Sequence, residues 1–213
     1  RRAASKFTNA ARLFFTRDGL EQATPEAVAL HRAVRFESWP SIFDLGAGLG
    51  GDTLALARRT TVVAVDRDRL RLRVLQVNAA RLGLDESVRP IEADLLHLPL
   101  RFPRSGAAFS DPGRRRAGRR LRGVQAYEPP FHVVGEWIPR LAGLAVKVSP
   151  AVRLDEVAHL PCEIEFVSLD GELKEATLWF GDLRRGVRRA TVLPDGATLE
   201  GSEEPDLSPG PLE

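Results

Sequence analysis

The sequence predicts an α/β fold built on a mostly parallel sheet, and three observations carry that prediction. An apolar strand over 41–45 runs into glycines at alternate positions, Gly46, Gly48 and Gly50, and then directly into a helical stretch. A second apolar strand over 61–65 ends at Asp66 and leads into an amphipathic helix. Beyond it, strand-like and helix-like segments keep alternating, the pattern of right-handed βαβ units in a sheet covered on both faces.

Residues 1–35 read as helical. Phe7, Ala11, Phe14 and Phe15 recur at helical spacing, and Thr24-Pro25-Glu26 opens a second helix with a capping threonine and a proline in the first turn. Residues 16–23 between them read as a polar loop. Strands are expected at 42–45, 61–65, 88–92, 107–110 and 144–149, and helices at 52–59, 68–83 and 132–142. The helix after Asp66 carries Leu70, Val74, Val77 and Leu82 along one face, opposite arginines, and Gly83 ends it. After residue 150, segments at 163–168 and 176–180 flank Asp170-Gly171 and read as a β-hairpin closing the sheet. A further strand is expected at 187–193. Residues 200–213, acidic and rich in proline and glycine, read as a linker or tail. The expected division is an N-terminal helical extension (1–38), a core domain (39–199) and that tail (200–213).

Bulk properties exclude more than they identify. The net charge of +2 says nothing about partners. One cysteine, Cys162, excludes an internal disulfide framework and favours a reducing, cytoplasmic setting. No apolar run approaches the roughly 18 residues of a membrane span. Methionine is absent even at position 1, which predicts a piece of a longer chain. His31, His97, His132 and His159 are scattered without metal-ligand spacing, so no metal is expected. No phosphate-binding Walker loop or serine nucleophile elbow is present, so hydrolase readings have no support.

The glycine loop and Asp66 point to a nucleoside cofactor. An acid ending the second strand is placed to hold the hydroxyls of a ribose. The dinucleotide fingerprint is G-x-G-x-x-G, with a pyrophosphate on the helix N-terminus. Here the spacing is G-x-G-x-G-G, and Asp52 stands where the helix begins, with Asp44 just before the loop. Two acids repel phosphate and suit the cationic amino-acid end of S-adenosylmethionine; a dinucleotide enzyme and a glycine-rich βα turn with no ligand are the alternatives. Asp94, past the third strand, is placed to accept a hydrogen bond from an adenine amino group, with Leu95 and Leu96 beside the ring; the other reading is a helix cap. At the end of the fourth strand, Asp111-Pro112 lies where a methyl acceptor would arrive, or forms a plain Asp-Pro-Gly turn. Eight arginines fall between 101 and 122 with Asp111 as the one acid among them. They suit phosphate contacts or form a solvated basic loop. Tyr127, Phe131 and Trp137 offer base stacking or core packing.

The run Phe43-Asp44-Leu45-Gly46-Ala47-Gly48-Leu49-Gly50-Gly51-Asp52, with Val65-Asp66 and Ala93-Asp94, resembles the class I S-adenosylmethionine-dependent methyltransferases. Phe14 to Thr24, Asp111 to Arg115, Ala145 to Pro150 and Ser168 to Glu172 are similar to the bacterial methyltransferases that carry a THUMP-like domain. Residues 22–26 resemble the segment that precedes the core in trimethylguanosine synthases. The resemblance implies a Rossmann-like fold with a seven-stranded, mostly parallel sheet and S-adenosylmethionine as cofactor. It implies cofactor contacts at Thr24, Asp44, Gly46, Ala47, Gly48, Asp66, Arg67, Asp94 and Leu95, and presentation of the acceptor by Asp111 and Pro112. Nucleic acid, RNA above all, is the implied substrate, gripped by Arg114, Arg115, Arg116, Arg119 and Arg120, with a THUMP-like domain outside this chain. Gly113 and Arg114 stand where amino-directed members often have a second proline and an aromatic residue. A methyltransferase for a small molecule or protein, and a non-catalytic RNA-binding module that keeps the cofactor fold, are the rival readings.

Overall fold

The computed structural model describes residues 3–113, 115–116, 119–120 and 123–201. Two short helices come first, α1 (Arg17–Gln22) and α2 (Glu26–Ala33). Strand β1 (Ser41–Leu45), helix α3 (Gly51–Leu56), strand β2 (Thr61–Asp66), helix α4 (Arg69–Leu82) and strand β3 (Val88–Glu92) form two successive crossover units. Strand β4 (Ala107–Ser110) is followed by a small ribbon, β5 (Arg115–Arg116) against β6 (Arg119–Arg120), and by helix α5 (Phe131–Trp137). Strand β7 (Gly143–Val148), helix α6 (Leu154–Val157) and four strands complete the order: β8 (Cys162–Leu169), β9 (Glu172–Gly181), β10 (Arg188–Leu193) and β11 (Ala197–Gly201).

The main sheet runs β11-β10-β8-β9-β7-β4-β1-β2-β3. Strands β3, β2, β1, β4 and β7 are parallel, and the β8–β9 hairpin inserts β9 antiparallel against β7. The seven strands of the expected sheet are therefore present, but the sheet has nine: the further strand expected at 187–193 joins it as β10, parallel to β8, and β11 pairs antiparallel to β10. Side chains alternate between two buried faces, the signature of a sheet covered on both sides. Ile42, Ala107, Phe109, Ala145 and Trp179 face α2, α3 and α4, while Leu45, Ala108, Leu144, Val146 and Leu178 face α5 and α6.

Three local expectations are corrected. The polar stretch over 16–23 is not a loop but contains α1. Thr16 caps its start, accepting from Gly19 N at 3.1 Å, and Lys6 Nζ donates to the carbonyls of Leu20, Glu21 and Ala23 at its end. A cation there satisfies the orphan carbonyls and the helix dipole together. The segment before it is no regular α-helix; a single 3-10 turn, Ala10–Arg12, stands there. Helix α4 buries Leu72, Leu75, Asn78 and Ala79 rather than the expected face, leaving Leu70 and Val77 exposed. Asn78 decides the rotation: its amide exchanges hydrogen bonds with the Phe14 backbone at 2.8 and 3.0 Å, tying the N-terminal segment to that face.

Helix α2 docks on the sheet through charge as much as through apolar packing. Arg35 grips Glu163 with two hydrogen bonds (2.7 and 2.9 Å) and lies 4.2 Å above the Trp179 ring. Glu165, fully buried on the next inward position of β8, accepts from Trp179 Nε1 and Thr191 Oγ1 and meets His31. Burial pushes the Glu163 carboxyl up, but Arg35, the Arg185 amide and Arg189 outweigh it and hold it at about 2. A folded-state value below the ordinary 4.5 contributes stability above that pH and loses it as pH falls toward 2. Breaking a buried pair from one side leaves an uncompensated charge, at a cost of about 3–5 kcal/mol. Arg35→Met is therefore expected to lower the thermal midpoint by roughly 10 °C in scanning calorimetry. The wild-type midpoint is expected to decline as pH drops from 4.5 toward 2.

Candidate active site

The carboxyl ends of β1, β2, β3 and β4 share one edge of the sheet, because Leu45 pairs with Val65 and with Ser110, and Asp66 with Glu92. The loop leaving β1 is pinned there. Gly46 N and Ala47 N both donate to Val65 O (2.9 and 3.0 Å), and Gly48 N donates to Asp66 Oδ2 at 2.8 Å. Asp66 Oδ1 accepts from Asp68 N at 2.9 Å, so the acid is locked in orientation by the backbone on either side of it. Gly46 (φ 101°) lets the loop pass 3.2 Å from the Asp111 carbonyl, measured from the position a β-carbon would take. Gly48 (φ 56°) faces open space, with nothing within 4 Å of such a carbon. A cavity of about 650 Å³ lies over this loop.

Four groups wall the cavity. The glycine loop and Asp66 form one side, Asp94, Leu95 and Leu96 a second, Asp111, Pro112 and Glu128 a third. Helix α1 supplies the fourth through Asp18, Glu21 and Gln22, with Thr24 just beyond. That last wall was invisible in the sequence, since the lysine that ends α1 lies more than ten residues upstream and leaves no periodic signal.

Beneath the cavity lies a closed ring of buried charge. Lys147 Nζ donates to Thr24 Oγ1 (2.6 Å) and to Asp111 Oδ2 (2.8 Å). Thr24 Oγ1 donates to Asp52 Oδ2 at 3.0 Å. Arg32, stacked 4.4 Å from the Phe109 ring, bridges Asp52 and Glu175, and Glu175 returns to within 3.9 Å of Lys147. Thr24 therefore does not cap α2, which begins at Glu26, and Asp52 does not cap α3; both serve the ring. Burial works against the charge on Asp52, but Arg32 and Lys147 outweigh it and hold the carboxyl below its usual range. Asp44 behaves oppositely. It is buried with Thr53 as its hydrogen-bond donor, and burial raises it to about 8. Asp44 does not line the cavity, so of the two acids expected to meet a cation, the structure brings Asp52 to the wall and keeps Asp44 behind it.

No family model matches this chain. It is 34% identical over 219 aligned residues to proteins of Mycobacterium tuberculosis, strains CDC 1551 and H37Rv, each described as an uncharacterized S-adenosylmethionine-dependent methyltransferase. The alignment takes in 97% of this chain and 58% of the relatives, so the chain spans little more than half their length. A candidate methyltransferase of Porphyromonas gingivalis superposes with a TM-score of 0.63 at 22% identity, over 79% of this chain and 43% of that one. A candidate RNA methyltransferase of Pyrococcus horikoshii gives 0.54 at 14%, over 79% and 90%. This chain is similar in sequence to proteins described as S-adenosylmethionine-dependent methyltransferases, and in fold to methyltransferases.

The residues present fit the cofactor that these similar proteins are named for. Gly48 opens a cradle that a side chain would fill, the carboxylates along the rim match a cationic ligand, and Leu95 and Leu96 supply an apolar edge. Asp94 lines the cavity and also caps the following turn, accepting from Leu96 N at 2.9 Å, so both of its expected roles are compatible. Arg67 is at the wall too, but its guanidinium is taken by Glu128 at 2.8 Å, a pair that spans from β2 to the loop before α5. Pro112 is buried, and Gly113 forms a backbone bridge with Glu128. Tyr127, Phe131 and Trp137 are all buried in the core on the α5 face, and the Tyr127 hydroxyl accepts from Ser149 N; they present no stacking surface. Of the arginines, Arg115, Arg116, Arg119 and Arg120 form the β5–β6 ribbon, and Arg114 lies outside the described residues. Among the described residues no cluster of histidine, cysteine or acidic side chains is arranged to hold a metal, and no helix is long and apolar enough to cross a membrane.

A methyl group at position 48 meets the cavity rather than the protein. Gly48→Ala is expected to cost about 1 kcal/mol in stability from its left-handed backbone, yet to weaken S-adenosylmethionine binding at least about tenfold in calorimetric titration.

Proposed function

We propose that this chain transfers a methyl group from S-adenosylmethionine to a nucleic acid, with RNA the favoured acceptor. The observation that carries the reading is the convergence of the glycine loop, Asp66, Asp94 and Asp111 on one cavity at the carboxyl edge of the sheet. When bound, the cofactor supplies a methyl group on a cationic sulfur and leaves as a neutral thioether. Asp66, each oxygen of which already accepts one backbone N–H, keeps lone pairs for the ribose hydroxyls. Asp94 and Leu95 serve the adenine end. Asp52, held ionised, supplies negative charge for the cationic amino-acid end, and Gly46, Ala47 and Gly48 allow close backbone approach. Asp111 and the Pro112 carbonyl accept hydrogen bonds from the acceptor and fix its direction of attack, where positioning accounts for much of the acceleration.

The preference for RNA is supported by the arginine density over 101–122, by the β5–β6 ribbon that leaves β4 beside Asp111, and by the description of the Pyrococcus neighbour. Seven acids at the cavity wall oppose entry of phosphate, which suits a target base inside and its backbone on the ribbon. The remaining length of the M. tuberculosis relatives leaves room for a further RNA-holding domain, the THUMP-like unit that the sequence resemblance implies. A lone, partly buried cysteine favours reaction in the reducing cytoplasm.

Calorimetric titration with S-adenosylmethionine is expected to give a measurable affinity that Asp66→Ala weakens at least about tenfold; an unchanged affinity would contradict the cofactor assignment. Incubation with the methyl-labelled cofactor and total nucleic acid is expected to give label removed by ribonuclease. Label removed by deoxyribonuclease reassigns the acceptor to DNA, and bound cofactor with no transfer removes the enzymatic reading.

A further inference from the structure

We propose that Lys147 is a positioning residue that sets the orientation of the Asp111 carboxylate; the inference rests on the function proposed above. Strand β7 is buried along its whole length and apolar except for this one charge. Lysine is almost never fully buried unless paired, and replacing a buried ion pair by apolar side chains is often neutral for stability. Stability alone therefore does not account for a cation at this position.

The geometry gives the cation another task. Its side chain is 3% exposed, and its ammonium donates to Thr24 Oγ1 at 2.6 Å and to Asp111 Oδ2 at 2.8 Å, with Glu175 Oε2 at 3.9 Å, so two of its protons have fixed directions. Strands β4 and β7 are parallel neighbours with Ser110 opposite Val146, which places Asp111 and Lys147 side by side at the edge. Among the described residues Lys147 is the group that hydrogen-bonds the Asp111 side chain, and it holds one oxygen. The other is left for a ligand in the cavity that Asp111 lines. Through Thr24 the same ammonium reaches Asp52, so the acceptor-side and cofactor-side carboxylates keep a fixed relation to each other. An acceptor N–H or O–H then meets a hydrogen-bond acceptor that cannot swing away.

The test compares Lys147→Met, Lys147→Arg, Asp111→Asn and the double variant Lys147→Met/Asp111→Asn. Transfer of labelled methyl to RNA is read alongside calorimetric affinity for S-adenosylmethionine. Each single variant is expected to lose about 100-fold in turnover, the scale of a misplaced reacting group. Asp111→Asn should keep cofactor affinity within about fivefold, the Lys147 variants should lose far more in turnover at saturating cofactor than in affinity, and there the double variant should be no worse than Lys147→Met, as groups acting as one unit behave. Full turnover in a Lys147 variant, loss of cofactor affinity in step with turnover, or additive losses in the double variant overturn the proposal. Should Lys147→Met not fold, Lys147→Arg decides alone: it keeps the charge but moves the donor, and wild-type turnover from it is a refutation. A wild-type protein that binds cofactor and transfers nothing overturns the proposed function itself; an active wild type with active variants overturns the positioning role alone.

Discussion

The buried ring of Lys147, Thr24, Asp52, Arg32 and Glu175 is the constraint on which the rest of the site depends. It ties together four parts of the chain that apolar packing alone would leave free to slide: the segment before α2, the first turn of α3, the end of β7 and the middle of β9. Desolvating five charged or polar groups is costly, and attraction in a low-dielectric interior repays it only when the partners meet with good geometry. The arrangement leaves one of its buried polar atoms, Arg32 Nε, without a partner among the described residues, and Asp44 Oδ1 nearby is another. Buried atoms of this kind are rare and cluster where a fold serves something other than its own stability.

The ring also separates the roles of two neighbouring acids. Asp44 and Asp52 lie eight residues apart on either side of the glycine loop, the first buried and the second partly buried at the cavity wall. Asp52 has Arg32 and Lys147 close by and stays ionised. Asp44 has Thr53 as its donor and is pushed up to about 8, leaving it neutral at physiological pH. Environments that drive two carboxyls apart in this way assign them different tasks. The ionised one faces the cavity, and the neutral one supports the loop from behind.

Much of the fold was legible because it obeys simple periods. The strands of the parallel half are short apolar runs, and the glycine loop announces the sheet edge on which Asp66, Asp94 and Asp111 later meet. The site was less legible wherever distant residues supply the deciding contact. Within residues 16–23 only the capping Thr16 foretells α1, because Lys6 completes its end from outside. On α4 the apolar residues Leu70, Val74 and Val77 advertise a core face, but Asn78 and the small Ala79 turn a different one inward. Lys147 fell within an expected strand, Glu175 just outside one, and Arg32 and Arg35 within the expected N-terminal helical stretch, with nothing to mark them. Each has a partner more than a hundred residues away, a separation that no local pattern encodes.

That separation governs the order in which the molecule can be assembled. Arg32 finds Glu175 across 143 positions of sequence, and Arg35 finds Glu163 across 128. Loop-closure entropy for such contacts is spent before they reward the chain, so they form late and slowly. As the chain emerges during synthesis, β1 through β4 can associate and α2 can pack on α3 while Arg32 and Arg35 still lack Glu175 and Glu163. The cavity's lining, among the described residues, ends at Pro129. A nascent chain stopped before residue 163 would therefore carry the groups that face the cavity but leave two guanidiniums without their carboxylates, so the charge balance behind the chamber is completed last.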